Sequence, residues 1–115
     1  MPRGEEQAAR SFYGDLLGMR EVGKPGELGR RGGCWFESGA VAIHLGIEAD
    51  FRPAKKAHPA LECTDYDGLI ARLGEAGVEA SEARGIPGVR RCHIHDPFGN
   101  RIELIDGNSR ANAGR

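Results

Sequence analysis

The chain has 115 residues, 39% hydrophobic and 29% charged, with a formal net charge of −1. This composition is that of one globular domain with a modest core. A charge near zero gives no electrostatic case for nucleic acid or an anionic membrane, and no apolar run reaches the length of a membrane span.

The N-terminus, Met-Pro-Arg-Gly-Glu-Glu, lacks the apolar core of a signal peptide. Residues 5–18 read as a helix, with Ala8, Ala9, Phe12, Leu16 and Leu17 recurring at three- and four-residue steps and Gly18 as the C-cap. Residues 19–22 read as a short strand. Lys24 to Gly33, rich in glycine with one proline, reads as a mobile loop. A hairpin is predicted over residues 33–38 and 41–47, then a charged connecting loop over 48–57. His58 to Thr64 reads as a strand, and Asp65 is a good N-cap for a helix over 66–76 with Leu69, Ile70 and Leu73 on its apolar face. Residues 78–83 form a further strand. A last hairpin runs from Cys92 to Asp106 around Asp96-Pro97-Phe98-Gly99-Asn100. In that turn Asp96 accepts from backbone N–H groups, Pro97 presets φ, and Gly99 tolerates a positive φ. Residues 108–115 read as a flexible tail. Cys34, Cys63 and Cys92 are odd in number, lack Cys-x-x-Cys spacing and sit in strand-like runs. They read as buried free thiols in a reducing cytoplasm.

The two halves repeat one another. Ile43-His44-Leu45 matches Ile102-Glu103-Leu104, and Gly18 matches Gly77 at the same offset. The chain therefore reads as a single domain over residues 1–107: module one (1–47), the connecting loop (48–57) and module two (58–107). Module two reads strand–helix–strand–strand–strand. Module one lacks the opening strand, because the counterpart of His58 would fall before Met1.

Ala9-Arg10-Ser11-Phe12-Tyr13 with Leu17-Gly18 resembles the first helix of the glyoxalase/bleomycin-resistance/extradiol-dioxygenase superfamily, the vicinal oxygen chelate proteins. Asp96-Pro97-Phe98-Gly99-Asn100 with Ile102-Glu103-Leu104 resembles that family's closing hairpin, so the likeness covers residues 8–106. It implies an α+β fold of paired βαβββ modules forming a curled mixed sheet around a cleft, here with the first strand of module one absent. It also implies metal ligands on the first and last strands of each module, which falls on His44, His58 and Glu103. Two imidazoles and a carboxylate suit a divalent metal (Zn, Ni, Mn or Fe) with open coordination positions. Such an ion would stabilise an enediolate or oxyanion on a chelating substrate, and Glu103 could shuttle a proton between adjacent carbons.

Alternation puts Ile102 and Leu104 on one face of their strand and Glu103 on the other. A five-residue turn pairs His93 with Glu103 across the hairpin, and the repeat puts Trp35 beside His44. Both are candidate ligand-binding residues, against the plainer readings of a core or interface tryptophan and a surface histidine. Arg52, Lys55 and Lys56 read as solvated loop charge, and Cys92 has no identified base to make it a nucleophile.

The leading functional expectation is a metal-dependent lyase, isomerase or epimerase acting on a small oxygenated metabolite. The competitor is a metal-free protein that sequesters a ligand, as bleomycin-resistance proteins do. Ring-cleaving dioxygenation ranks last, since the family draws one of its histidines from the strand that is missing here. The open sheet edge further implies a homodimer.

Overall fold

The computed structural model describes residues 1–109. Of the expected tail, residues 110–115 lie outside the described residues, while Ser109 is held by its Oγ, which accepts from the Arg90 N–H at 2.8 Å. The chain divides into two compact units, Met1–Pro53 and Ala54–Arg115. Among the described residues no helix is long and apolar enough to cross a membrane.

In the first unit a short α-helix, α1 (Glu6–Ala9), continues into a π-helical stretch over Arg10–Leu16. The sequence predicts one regular helix here. The wider turn shows in the Leu17 N–H bonding back to the Phe12 carbonyl at 2.9 Å. It lets two consecutive aromatics turn inward together. Phe12 and Tyr13 are both buried, edge to face, and Tyr13 stacks on Phe36 at 5.5 Å. Strands β1 (Arg20–Val22), β2 (Cys34–Ser38) and β3 (Val41–Leu45) follow as an antiparallel sheet in that order. The predicted mobile loop contains a 3₁₀ turn, Gly26–Arg31, entered from an extended Pro25. Gly33 closes it at φ +83, where a Cβ would collide with the Leu45 carbonyl of the neighbouring strand.

The second unit has the predicted order. Strand β4 (Ala60–Cys63) leads to helix α2 (Tyr66–Glu75), and then come β5 (Ser81–Glu82), β6 (Arg91–His95) and β7 (Arg101–Asp106). Asp65 caps α2 by accepting from the Gly68 N–H. The sheet order is β4-β7-β6-β5, with β4 parallel to β7 and the other pairs antiparallel. The fold is thus α+β, with one antiparallel and one mixed sheet, neither closed into a barrel. Strand β5 is shorter than predicted, since only Ser81 and Glu82 find ladder partners on β6.

Helix α2 packs on β7. The face beneath it carries Cys92, Ile94, Ile102 and Leu104, all buried, with Leu69 and Leu73 from the helix. Arg90 ties the helix start to the strand end. Its guanidinium donates to both Asp67 oxygens at 2.9 and 3.0 Å and to Asp106 Oδ2 at 2.8 Å, and lies 4.9 Å over the Tyr66 ring. The three cysteines are free; Cys34 and Cys92 are buried and Cys63 is half-buried. Burial pushes the Cys92 thiol up, so it is an inert packing residue.

The turn between β6 and β7 is built around Asp96. Its Oδ1 accepts from the Phe98 and Asn100 N–H groups at 2.9 and 2.8 Å, and its Oδ2 from Asn100 Nδ2 at 2.9 Å. Gly99 sits at φ +89. Asp96→Ala leaves these donors unpaired and should cost about 2–4 kcal/mol. Urea denaturation followed by circular dichroism measures the loss, and a change below half a kcal/mol would show the turn to be self-sufficient.

Candidate metal centre

The β6–β7 register sets His93 opposite Glu103 and Ile94 opposite Ile102, as the turn length predicts. Alternation then gives the sheet a second face, opposite α2, carrying Arg91, His93 and His95 from β6 and Arg101 and Glu103 from β7. Parallel pairing brings Ala60 beside Glu103, and the Glu103 N–H donates to the Pro59 carbonyl at 2.9 Å. His58 stands just ahead of β4 rather than within it, and that bond fixes the backbone next to it.

His58, His93 and Glu103 each offer a ligand atom, and these atoms lie within 4.8 Å of one another. Glu103 Oε1 is 3.1 Å from His58 Nε2, 3.2 Å from Arg91 Nη1 and 3.5 Å from His93 Nε2. The two imidazoles meet edge to face at 5.2 Å. Burial alone would push the Glu103 carboxyl up. The hydrogen bonds from His58 and Arg91 outweigh it and hold the group below the usual carboxylate range. Burial, helped by the Arg101 charge, pushes His93 down and keeps its ring neutral, against an opposing pull from Glu103.

The donor set fits a divalent cation. The His58 Nδ1–H donates to the Lys56 carbonyl at 2.7 Å, which leaves Nε2 as the ring nitrogen turned to the carboxylate, 3.1 Å from Glu103 Oε1. A proton on Nε2, or a cation in its place, satisfies both atoms of that contact. Arg91 Nε and His93 Nε2 are buried without a hydrogen-bond partner, a pattern that marks functional ground.

Of the sequence-based triad of His44, His58 and Glu103, the structure groups His58 and Glu103 within the second unit, together with His93, expected only as a ligand-binding neighbour. His44 belongs to the first unit. It pairs with Trp35 across β2–β3, and their rings stack 3.7 Å apart and 4° from parallel, as the repeat predicts. Arg91 and Arg101 were not singled out from the sequence. Both were within reach of the alternation rule, being two residues before His93 and Glu103.

The sequence model of the Glyoxalase/Bleomycin resistance protein/Dioxygenase superfamily matches residues 1–104. Comparison with curated proteins finds no match. Among solved structures, a glyoxalase family protein from Bacillus anthracis is similar at 46% identity and a TM-score of 0.88, over 92% of this chain and 87% of that one. Two more distant structures show the fold alone. An antibiotic binding protein from a Streptomyces species has 24% identity, a TM-score of 0.71 and coverage of 92% and 89%. A lactoylglutathione lyase from Agrobacterium tumefaciens has 21% identity, a TM-score of 0.67 and coverage of 93% and 89%.

Because Glu103 is held below its ordinary range in the folded protein, its charge stabilises the fold above the usual carboxylate pKa. That contribution is lost as pH falls through the folded value. Glu103→Gln in chelator-treated protein should therefore cost about 1–3 kcal/mol near neutral pH. The gap to wild type should close in acid. Guanidinium melts at two pH values check this, and a gap that widens in acid contradicts it.

Proposed function

The chain belongs to the glyoxalase/bleomycin resistance/dioxygenase superfamily, and within it we propose a divalent-metal-dependent enzyme acting on a small oxygenated metabolite by lyase, isomerase or epimerase chemistry. The observation that supports this most is His58 Nε2 set 3.1 Å from Glu103 Oε1, with His58 Nδ1 held by the Lys56 carbonyl. Those two atoms would hold the cation. When bound, it supplies Lewis-acid stabilisation to an enolate or oxyanion. The residues of the chain do the rest. Glu103, held anionic, can accept a proton from one carbon and return it to the next. Arg91 neutralises the carboxylate and fixes its orientation. Separately, in the first unit, Trp35, the single tryptophan, stacks on His44 and offers a flat apolar surface of its own for a ligand.

One observation favours a metal-free binding protein instead. Arg91 Nη1 at 3.2 Å already gives Glu103 a charged partner, so the carboxylate does not require a metal to be buried. Metal titration separates the two readings. Zinc, nickel or manganese added to chelator-treated protein should raise the melting temperature by ligand linkage. Glu103→Ala and His58→Gln should each abolish the rise. His44→Gln in the same titration separates the repeat-based assignment from the geometric one. No shift with any of these ions moves the reading to ligand sequestration, which the emission of Trp35 can follow directly.

We also infer a homodimer in solution. Strand β3 stands at an edge of its sheet with Val41 exposed, and an unpaired edge of this kind is commonly covered by a second copy. Sedimentation across a dilution series tests this, and a monomer at micromolar concentration refutes it.

A further inference from the structure

We propose that Arg101 fixes the tautomer of His93, making it a hydrogen-bond donor to a bound oxygen ligand and not a third metal ligand. Only the placement beside a metal rests on the function proposed above; the tautomer itself does not.

The argument is one of donor inventory. A guanidinium carries N–H donors and no acceptor. Arg101 Nη2 lies 2.9 Å from His93 Nδ1. That ring nitrogen must therefore present its lone pair to Arg101, and a neutral ring then carries its proton on Nε2. His58 is held the opposite way. A carbonyl has no proton to give, so the 2.7 Å contact with the Lys56 oxygen fixes a proton on Nδ1 and leaves Nε2 as the nitrogen that exchanges its proton for a cation. The two imidazoles stand side by side at one carboxylate, yet the nitrogen each turns to it differs. His58 turns the nitrogen that a cation can claim, and His93 an N–H held in place by Arg101. The three-residue cluster is chemically a ligand pair and a donor.

The donor has no partner. His93 Nε2 is 3.5 Å from Glu103 Oε1, outside hydrogen-bond geometry, and it is buried. A buried N–H left unpaired costs about 1–3 kcal/mol, a cost that a ligand acceptor would remove. Arg91 Nε, two residues away on the same face of β6, is buried and unpartnered as well. Two unpartnered N–H groups beside one carboxylate suit a carboxylate, carbonyl or other oxyanion group on the small molecule. They also leave its oxygens close to where His58 and Glu103 would hold a cation. Arg101 is the positioning residue: it acts on the ligand only through His93.

Long-range ¹H–¹⁵N spectra of the histidine rings read tautomers directly. In chelator-treated wild type at about pH 8, where an ordinary imidazole is neutral, His93 should show the Nε2–H pattern, and His58 should carry a proton on Nδ1. Arg101→Met should shift His93 toward the other tautomer, and Arg101→Lys, which keeps a charged donor, should largely restore it. A loss of packing alone would not produce that reversal. A zinc titration adds the second readout. His58→Gln should weaken zinc by at least about a hundredfold, and His93→Gln, which keeps an N–H donor, by no more than about tenfold. An Nδ1–H pattern for His93 in wild type overturns the proposal, as does a His93→Gln loss equal to that of His58→Gln. If wild type binds no zinc, the metal-dependent function fails, while the spectra still decide the tautomer.

Discussion

Strand β7 is hydrogen-bonded along both edges, parallel to β4 on one side and antiparallel to β6 on the other. That double pairing fixes everything the second unit does. It brings a residue from before β4 and two from β6 to the carboxylate of Glu103. A strand paired on one side only could deliver one of these neighbours, not both. The Asp96 turn keeps the β6 side in register, and the Pro59 carbonyl, bonded to the Glu103 N–H, keeps the β4 side in place.

The same strand separates two chemistries by the thickness of one backbone. Ile102 and Leu104 face the helix and are almost wholly buried. Glu103, between them, faces Arg91 and two histidines. Its charge survives burial because three basic groups surround one oxygen. The arrangement resembles a buried ion cluster, where the attraction must exceed a large desolvation cost. At this site donors outnumber acceptors: Arg91 Nε and His93 Nε2 are buried without a hydrogen-bond partner.

Much of this was legible in the sequence, and the reasons are specific. Turn length and strand alternation are nearly geometric, so the His93–Glu103 and Trp35–His44 pairings follow from counting residues. The repeat of Ile43-His44-Leu45 in Ile102-Glu103-Leu104 gave the module order. Other features were not legible. The π-helical turn is invisible to a three-and-four-residue periodicity, since its aromatics still fall near the apolar stripe. The first sheet's 3₁₀ turn hides among glycines that also suit an irregular loop. Arg91 and Arg101 carry no distinguishing motif in the sequence, and only the structure shows how each meets a partner. Tautomers lie further off still. They depend on which atom of a distant residue, here Lys56 O or Arg101 Nη2, reaches a given ring nitrogen.

Alternation along β7 has a consequence for how such a chain can diversify. Positions 101 and 103 shape the polar face, while positions 102 and 104 carry the packing against α2. Substitutions at the odd positions therefore act on the polar cluster, and those at the even positions on the apolar packing beneath α2. A single inserted residue in the strand would exchange the two sets and destroy both. Selection on this segment should thus tolerate replacement and forbid changes of length, so that relatives with different ligands keep the same spacing between the turn and the acidic residue.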